Sequence, residues 1–154
     1  MPVNLVALLP KPWHDLIDLK PLEDISKKLT DDFIPSEDSI FRCFELEPSE
    51  VKVVILGQDP YPNPTHAMGL AFSVNSSIRP LPASLNNIFK ELDSDLGIKR
   101  SNGDLSEWAS QGVLLLNRSL TVIPKLSDSH SDIGWHEFTE EKIRVVASRG
   151  AIGV

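Results

Sequence analysis

The sequence predicts an α/β protein built on an open, mostly parallel sheet. Two short runs carry that expectation, residues 51–56 (VKVVIL) and 112–117 (GVLLLN), each nearly all apolar and each ending in a turn or a polar residue. Runs so apolar suit strands covered on both faces. The stretches between and after them place apolar residues at i, i+3, i+4 and i+7, the spacing of amphipathic helices. Strand, helix, strand, helix, strand is the order of an open α/β sheet, in which ligands bind outside the carboxyl ends of the strands. At 154 residues the chain suffices for one buried core, so residues 1–154 are read as a single domain.

Taken in order, Trp13-His14-Asp15-Leu16-Ile17 opens a helical pattern that continues through Leu22, Ile25 and Leu29 until Pro35 interrupts it. The first strand stops at Gly57. Three prolines and an asparagine follow by Pro64, which neither a helix nor a central strand tolerates, so a rigid loop is expected there. Residues 69–74 form a further strand candidate leading to the proline-marked loop 79–83, and Ser84 is a candidate helix N-cap. From Leu85 through Ile88, Phe89 and Leu92 to about Leu96 the spacing is helical, with Gly97 as the stop. Residues 105–110 read as a short helix containing Trp108, and 112–117 as a buried strand ending in Asn117. Residues 139–147 are helical by period, Gly150 follows as a stop, and an apolar run begins at Ala151.

Composition excludes several classes. With 41% hydrophobic and 24% charged residues the chain is far from the signature of disorder. A lone cysteine, Cys43, excludes an internal disulfide framework, and no Cys/His cluster stands at zinc spacing; a reducing cytoplasm fits. The N-terminal apolar stretch lacks a basic leader and is broken by Pro10, and no run is long enough to span a membrane. A formal net charge of −7 argues against a broad nucleic-acid-coating surface but leaves room for a local neutral or basic face.

The most specific signal is Gly57-Gln58-Asp59-Pro60-Tyr61-Pro62, placed directly after the first buried strand. In order behind it stand Gly69-Leu70-Ala71-Phe72-Ser73-Val74, Pro82-Ala83-Ser84-Leu85, Trp108-Ala109, residues 111–117, Leu120-Thr121-Val122, Ser129-His130 and Gly134-Trp135. This ordered set resembles the uracil-DNA glycosylases from roughly Trp13 to the last residue; any single block alone would be weak. The resemblance implies a three-layer αβα fold around a mostly parallel four-stranded sheet, its last strand or strands missing from this chain. It also implies a DNA repair glycosylase that flips deoxyuridine out of DNA and hydrolyses its N-glycosidic bond to release uracil, with no metal or other cofactor. The implied setting is a cytoplasmic monomer acting on uracil-containing DNA, double or single stranded, with a proteinaceous glycosylase inhibitor as a further partner and no membrane association.

Carried over residue by residue, the resemblance assigns Asp59 to the stabilisation of an oxocarbenium-like sugar and the positioning of water. Asn117 offers one acceptor and two donors, which match the imide N–H and O4 of uracil. Phe72 would stack on the flipped base, Tyr61 would stand against C5 where thymine carries a methyl group, and Gln58 would contact uracil partly through its backbone. Ser84 and Pro82 would press the DNA backbone without net charge. His130 would lie near Asp59 and orient the carboxylate or its water.

Outside the family context the same residues have plainer readings: Asp59-Pro60 as a turn, Asn117 as a cap after a strand, Phe72 as a core residue, His130 as a solvated loop side chain. Two competing functions stay open, a catalytically inactive uracil- or DNA-binding relative and a different glycosidase on the same scaffold. Pro62 stands where the family commonly has histidine, and Ala83 where it has proline. The family continues past the equivalent of Val154 with a further strand and a His-Pro-Ser-Pro-type loop. A chain cut before that loop is expected to be catalytically impaired, since losing one donor to a developing anion costs about 2.7–4 kcal/mol.

Overall fold

The computed structural model describes residues 3–29 and 32–153. Met1 and Pro2 of the N-terminal stretch and Val154 of the final apolar run lie outside the described residues. Among the described residues, eight helices and strands position the site. Helices α1 (Leu5–Leu8) and α2 (Lys20–Lys28) precede β1 (Val53–Gly57); α3 (Ala83–Leu96) and α4 (Ser106–Ser110) lie between β1 and β2 (Val113–Asn117); α5 (Trp135–Ser148) leads to β3 (Ile152–Gly153).

The two apolar runs pair as parallel neighbours, in register from Val53↔Val113 to Gly57↔Asn117. Parallel strands require a long crossover, and α3 and α4 occupy it. On the other edge of β1, β3 pairs at Val53↔Ile152 and Val54↔Gly153, giving the order β2-β1-β3. The α/β fold with a parallel sheet flanked by helices is therefore present, with three of the four expected strands among the described residues.

Helix α5 buries Trp135, Phe138, Thr139, Lys142 and Val146, a single stripe at helical spacing. Trp13, Phe41, Phe44, Trp135 and Phe138 meet there in tilted and edge-on pairs with centroids 5.0 to 6.0 Å apart. Such aromatic pairs add roughly 0.5–1.5 kcal/mol each beyond their buried area. Among the described residues, no helix is long and apolar enough to cross a membrane.

Several expected elements differ in ways that have local causes. The first helical pattern splits into a 3₁₀ segment, Lys11–Leu16, and α2, because Pro21 cannot continue a helix but fits the first turn of a new one. Residues 69–74 are not a strand. Gly69 (φ +85°) and Phe72 (φ +66°) take left-handed backbone, Ser73 N–H turns back to the Leu70 carbonyl, and Ala71 N–H donates to the Leu115 carbonyl. The alternating pattern thus belongs to a turn tucked against β2. Ser84 does not cap α3: the helix starts at Ala83, with Pro82 at the cap position and no side-chain cap bond. Helix α5 starts earlier than its periodicity suggests, at Trp135, directly after Gly134 in left-handed backbone.

Lys142 is fully buried inside the aromatic cluster. Its Nζ lies 4.4 Å from the ring centroid of Phe138, 5.6 Å from Trp13 and 5.8 Å from Phe44, and among the described residues it has no hydrogen-bond partner. Loss of hydration pushes its amine down to about 7, against the attraction of the ring faces and of Glu141 and Cys43. An unfolded lysine holds its proton to about 10.4, so the unfolded chain binds more protons above pH 7 and stability rises with pH there, by up to about 1.4 kcal/mol per unit. Burial pushes the Cys43 thiol up, and Cys43 therefore opposes the rise once unfolded thiols ionise near 8.5. Urea unfolding should accordingly show stability rising between pH 7 and 8.5 and flattening above. Lys142→Met should remove the rise and add about 1–4 kcal/mol at pH 7; an unchanged pH slope would contradict this account.

Candidate active site

The ladder ends at Gly57↔Asn117, and the two loops leaving this point are bonded to each other. Arg118 N–H donates to the Gly57 carbonyl at 3.0 Å, Ser119 N–H to Gln58 at 3.0 Å, and Lys125 N–H to Pro62 at 2.7 Å. The proline-rich loop after β1 is thus held along its length by the segment after β2.

Between them and the 67–72 turn lies a cavity of about 290 Å³, near the lower end of small-molecule sites (~300–1,000 Å³). Gln58, Asp59, Tyr61, Phe72, Ser84 and Asn117 all line it. Pro82 stands one residue before α3 rather than on the cavity wall, and His130 is also off the wall.

Each lining side chain is placed by a definite contact. Asp59 Oδ2 accepts the N–H of Asp128, while Oδ1 takes no protein hydrogen bond among the described residues. Gln58 Nε2 donates to Asp128 Oδ1 at 3.3 Å. The Tyr61 hydroxyl donates to the Phe72 carbonyl at 2.7 Å and lies 3.4 Å from Ser84 Oγ. Burial pushes the Tyr61 phenol up, so it stays protonated at neutral pH. This bond fastens Phe72, an aromatic residue at φ +66°, a conformation that costs of order 1–3 kcal/mol outside glycine.

Asn117 is 7% exposed, and among the described residues its side-chain amide makes no hydrogen bond to protein. Facing the cavity, the amide is open to water or to a ligand there. The amide oxygen packs on Gly57, where a Cβ would overlap Oδ1 and come within 3.3 Å of Ala71 Cβ.

His130 is buried, and its Nδ1 lies 2.8 Å from Thr121 Oγ1, which accepts the Trp135 indole N–H at 2.8 Å. The threonine hydroxyl proton is then free to go to Nδ1, which leaves a neutral ring with its proton on Nε2. Burial pushes its pKa down, in keeping with that form. The histidine is therefore tied to the core beneath the loop that carries Asp128.

Sequence reasoning passed over Asp128, Thr121 and the packing role of Gly57. Only Gly57 had a visible signal, a glycine closing a buried strand inside the most specific motif.

Residues 44–152 match the family model for the uracil DNA glycosylase superfamily. The chain belongs to the uracil-DNA glycosylase superfamily. Within that family it is similar to "Uracil-DNA glycosylase 1" of Streptomyces coelicolor, 41% identical over 93% of this chain and 71% of the relative. It is also similar to the uracil-DNA glycosylase of Corynebacterium efficiens, 47% identical over 89% of this chain and 62% of the relative. Among solved structures, mimivirus uracil-DNA glycosylase superposes with a TM-score of 0.83 at 31% identity. That match covers 96% of this chain and 59% of the mimivirus chain. A variant of the mimivirus protein, solved in complex with UGI, superposes equally well, with a TM-score of 0.83. The present chain thus spans between about three fifths and just over two thirds of the length of these relatives.

In this member of the family, Gly57→Ala should push Asn117 off its seat or part the ladder, at an overpacking cost of about 1–3 kcal/mol. Chemical denaturation should report that loss, and wild-type stability in the variant would show that the close approach is relaxed at no cost.

Proposed function

We propose that this chain carries the base-binding pocket of a uracil-excising enzyme, the cavity at the ends of β1 and β2, and that by itself it excises uracil with impaired catalysis. The observation that supports it best is a pair of unused polar groups on one small cavity: the free amide of Asn117 and the unpartnered Oδ1 of Asp59. An unpaired amide accepts an imide N–H and donates to a ring carbonyl, the edge that uracil presents. A carboxylate oxygen at the wall suits a sugar that gains positive charge as its bond to the base breaks.

The steps follow from these groups. DNA yields a flipped deoxyuridine at a cost of a few kcal/mol. Phe72 stacks on the base, Asn117 and Gln58 take its polar edge, and Tyr61 closes the space at C5. The bond from C1′ to N1 breaks with its electron pair leaving on uracil; water adds to C1′, and Asp59 takes the water's proton. Pro82 and Ser84 meet the DNA backbone, a role that fits the first turn of α3, which has neither an acidic residue nor a side-chain cap. His130 acts from below by fixing the loop that carries Asp128. We place the activity in the cytoplasm, in a monomer acting on uracil-containing DNA of either strandedness, with UGI, bound by the mimivirus relative, as the model for an inhibitor protein.

Release of free uracil from a uracil-containing oligonucleotide tests this reading. This chain should release it slowly, a form extended through the family's next strand and His-Pro-Ser-Pro-type loop should release it faster, and Asp59→Asn in the extended form should slow release at least about 100-fold. Tight binding of the oligonucleotide without release would favour an inactive binding relative instead. For selectivity, Tyr61→Ala should narrow the preference for uracil over thymine by about 10- to 200-fold, the range one methyl group commands in a pocket. Unchanged selectivity would remove Tyr61 from that role.

A further inference from the structure

Asp128 is an exposed loop residue in no recognised motif, yet it makes two contacts to the residues that line the cavity. Its backbone N–H donates to Asp59 Oδ2, and its side-chain Oδ1 accepts from Gln58 Nε2 at 3.3 Å. Both are possible because its backbone is left-handed, at φ +61°. An aspartate reaches that region more readily than most residues, and a β-branched residue hardly at all. Neighbouring bonds hold the turn: Ile123 N–H to Ser129 Oγ at 2.8 Å, Ser131 N–H to the Asp128 carbonyl at 3.3 Å, and Lys125 N–H to the Pro62 carbonyl at 2.7 Å.

We propose that Asp128 is a positioning residue for uracil excision, its left-handed N–H orienting the Asp59 carboxylate and its side chain fixing the Gln58 amide. The inference rests on the functional reading above. A hydrogen bond from N–H to a carboxylate is charge-assisted and directional, so it fixes which oxygen is spent on the protein and which is left for the sugar and water. The two contacts use different parts of the residue, and substitutions separate them.

Glycine keeps the left-handed backbone and the N–H but removes the carboxylate. Asparagine keeps the backbone and an acceptor for Gln58. Valine opposes the backbone itself. Asp128→Val should therefore lower kcat by about tenfold or more through loss of the left-handed turn. Asp128→Gly should act chiefly on KM, raising it about 2- to 10-fold as Gln58 is released, and Asp128→Asn should recover most of both. If Val and Gly change kcat and KM in the same proportions, or if Val matches wild type in kcat, the proposal is overturned.

A second readout does not depend on turnover. In the ¹H–¹⁵N spectrum of the full chain, the Asp128 amide proton should resonate far downfield and move upfield in Asp59→Asn, where a neutral amide replaces the carboxylate. It should lose its downfield position in Asp128→Val while the core amides of β1 and β2 stay in place. An Asp128 amide insensitive to Asp59→Asn overturns the positioning role. If neither this chain nor the form extended through the family's His-Pro-Ser-Pro-type loop releases uracil, the functional reading fails on its own, and the amide still decides whether Asp128 holds Asp59.

Discussion

The parallel pairing of β1 with β2 brings Gly57 opposite Asn117, and the geometry of the cavity follows from that single register. A one-residue slip would turn every strand side chain to the other face, exchanging Leu115 with Leu114 and Leu116 between two packed layers and carrying Asn117 away from the cavity. The register is secured from both ends. At the start, Lys52 and Val53 both donate to the Gly112 carbonyl, and at the finish Arg118 and Ser119 donate to Gly57 and Gln58. The loop carrying Asp59 and the loop carrying Asp128 are therefore one structure, although 69 residues separate the two aspartates in sequence.

Below this junction, polar connections run into the core. Trp135, which opens α5, donates to Thr121, and Thr121 meets His130 two residues beyond Asp128. Two turns further along the same buried stripe, Lys142 sits among the rings of Trp13, Phe44 and Phe138. A helix that anchors the site loop thus also holds a buried amine whose protonation opposes folding. Global stability and the footing of the Asp128 loop share one element, although no bond joins the amine to the cavity.

Much of this was legible from the chain. The two short apolar runs read as strands covered on both faces, and the motif at Gly57 to Pro62 sits where an open sheet puts its ligands. Residues 69–74 misled because alternation of apolar and small residues describes a strand and an internal turn equally well. What separates them is the left-handed backbone at Phe72, and local propensity assigns an aromatic residue the opposite preference. Cavity residues drawn from the main motif were nameable in advance, Asp59 and Tyr61 among them. Asp128 was not, because its contribution comes from a backbone N–H, and its conformation is set by contacts with Asp59, Pro62 and Ser129 that are invisible in a list of residue types.

The placement of strain bears on how such a pocket could discriminate. Among the described residues, two of the three left-handed non-glycine residues, Phe72 and Asp128, touch the cavity or its aspartate. Each is held by a bond to a residue on the cavity wall: Phe72 by the Tyr61 hydroxyl, Asp128 through Asp59. Strain of order 1–3 kcal/mol per residue persists only where the surroundings over-determine the conformation. A pocket that yields would admit a methyl group for little, since loose apolar fit separates one methyl by only about 1–3 kcal/mol. Rejection has to come from a wall that cannot move. In the proposed reading Tyr61 would be such a wall; its hydroxyl is tied to a backbone that is itself locked against β2 through Ala71 and Leu115. The rigidity of this cavity thus traces back to the same ladder that sets its shape.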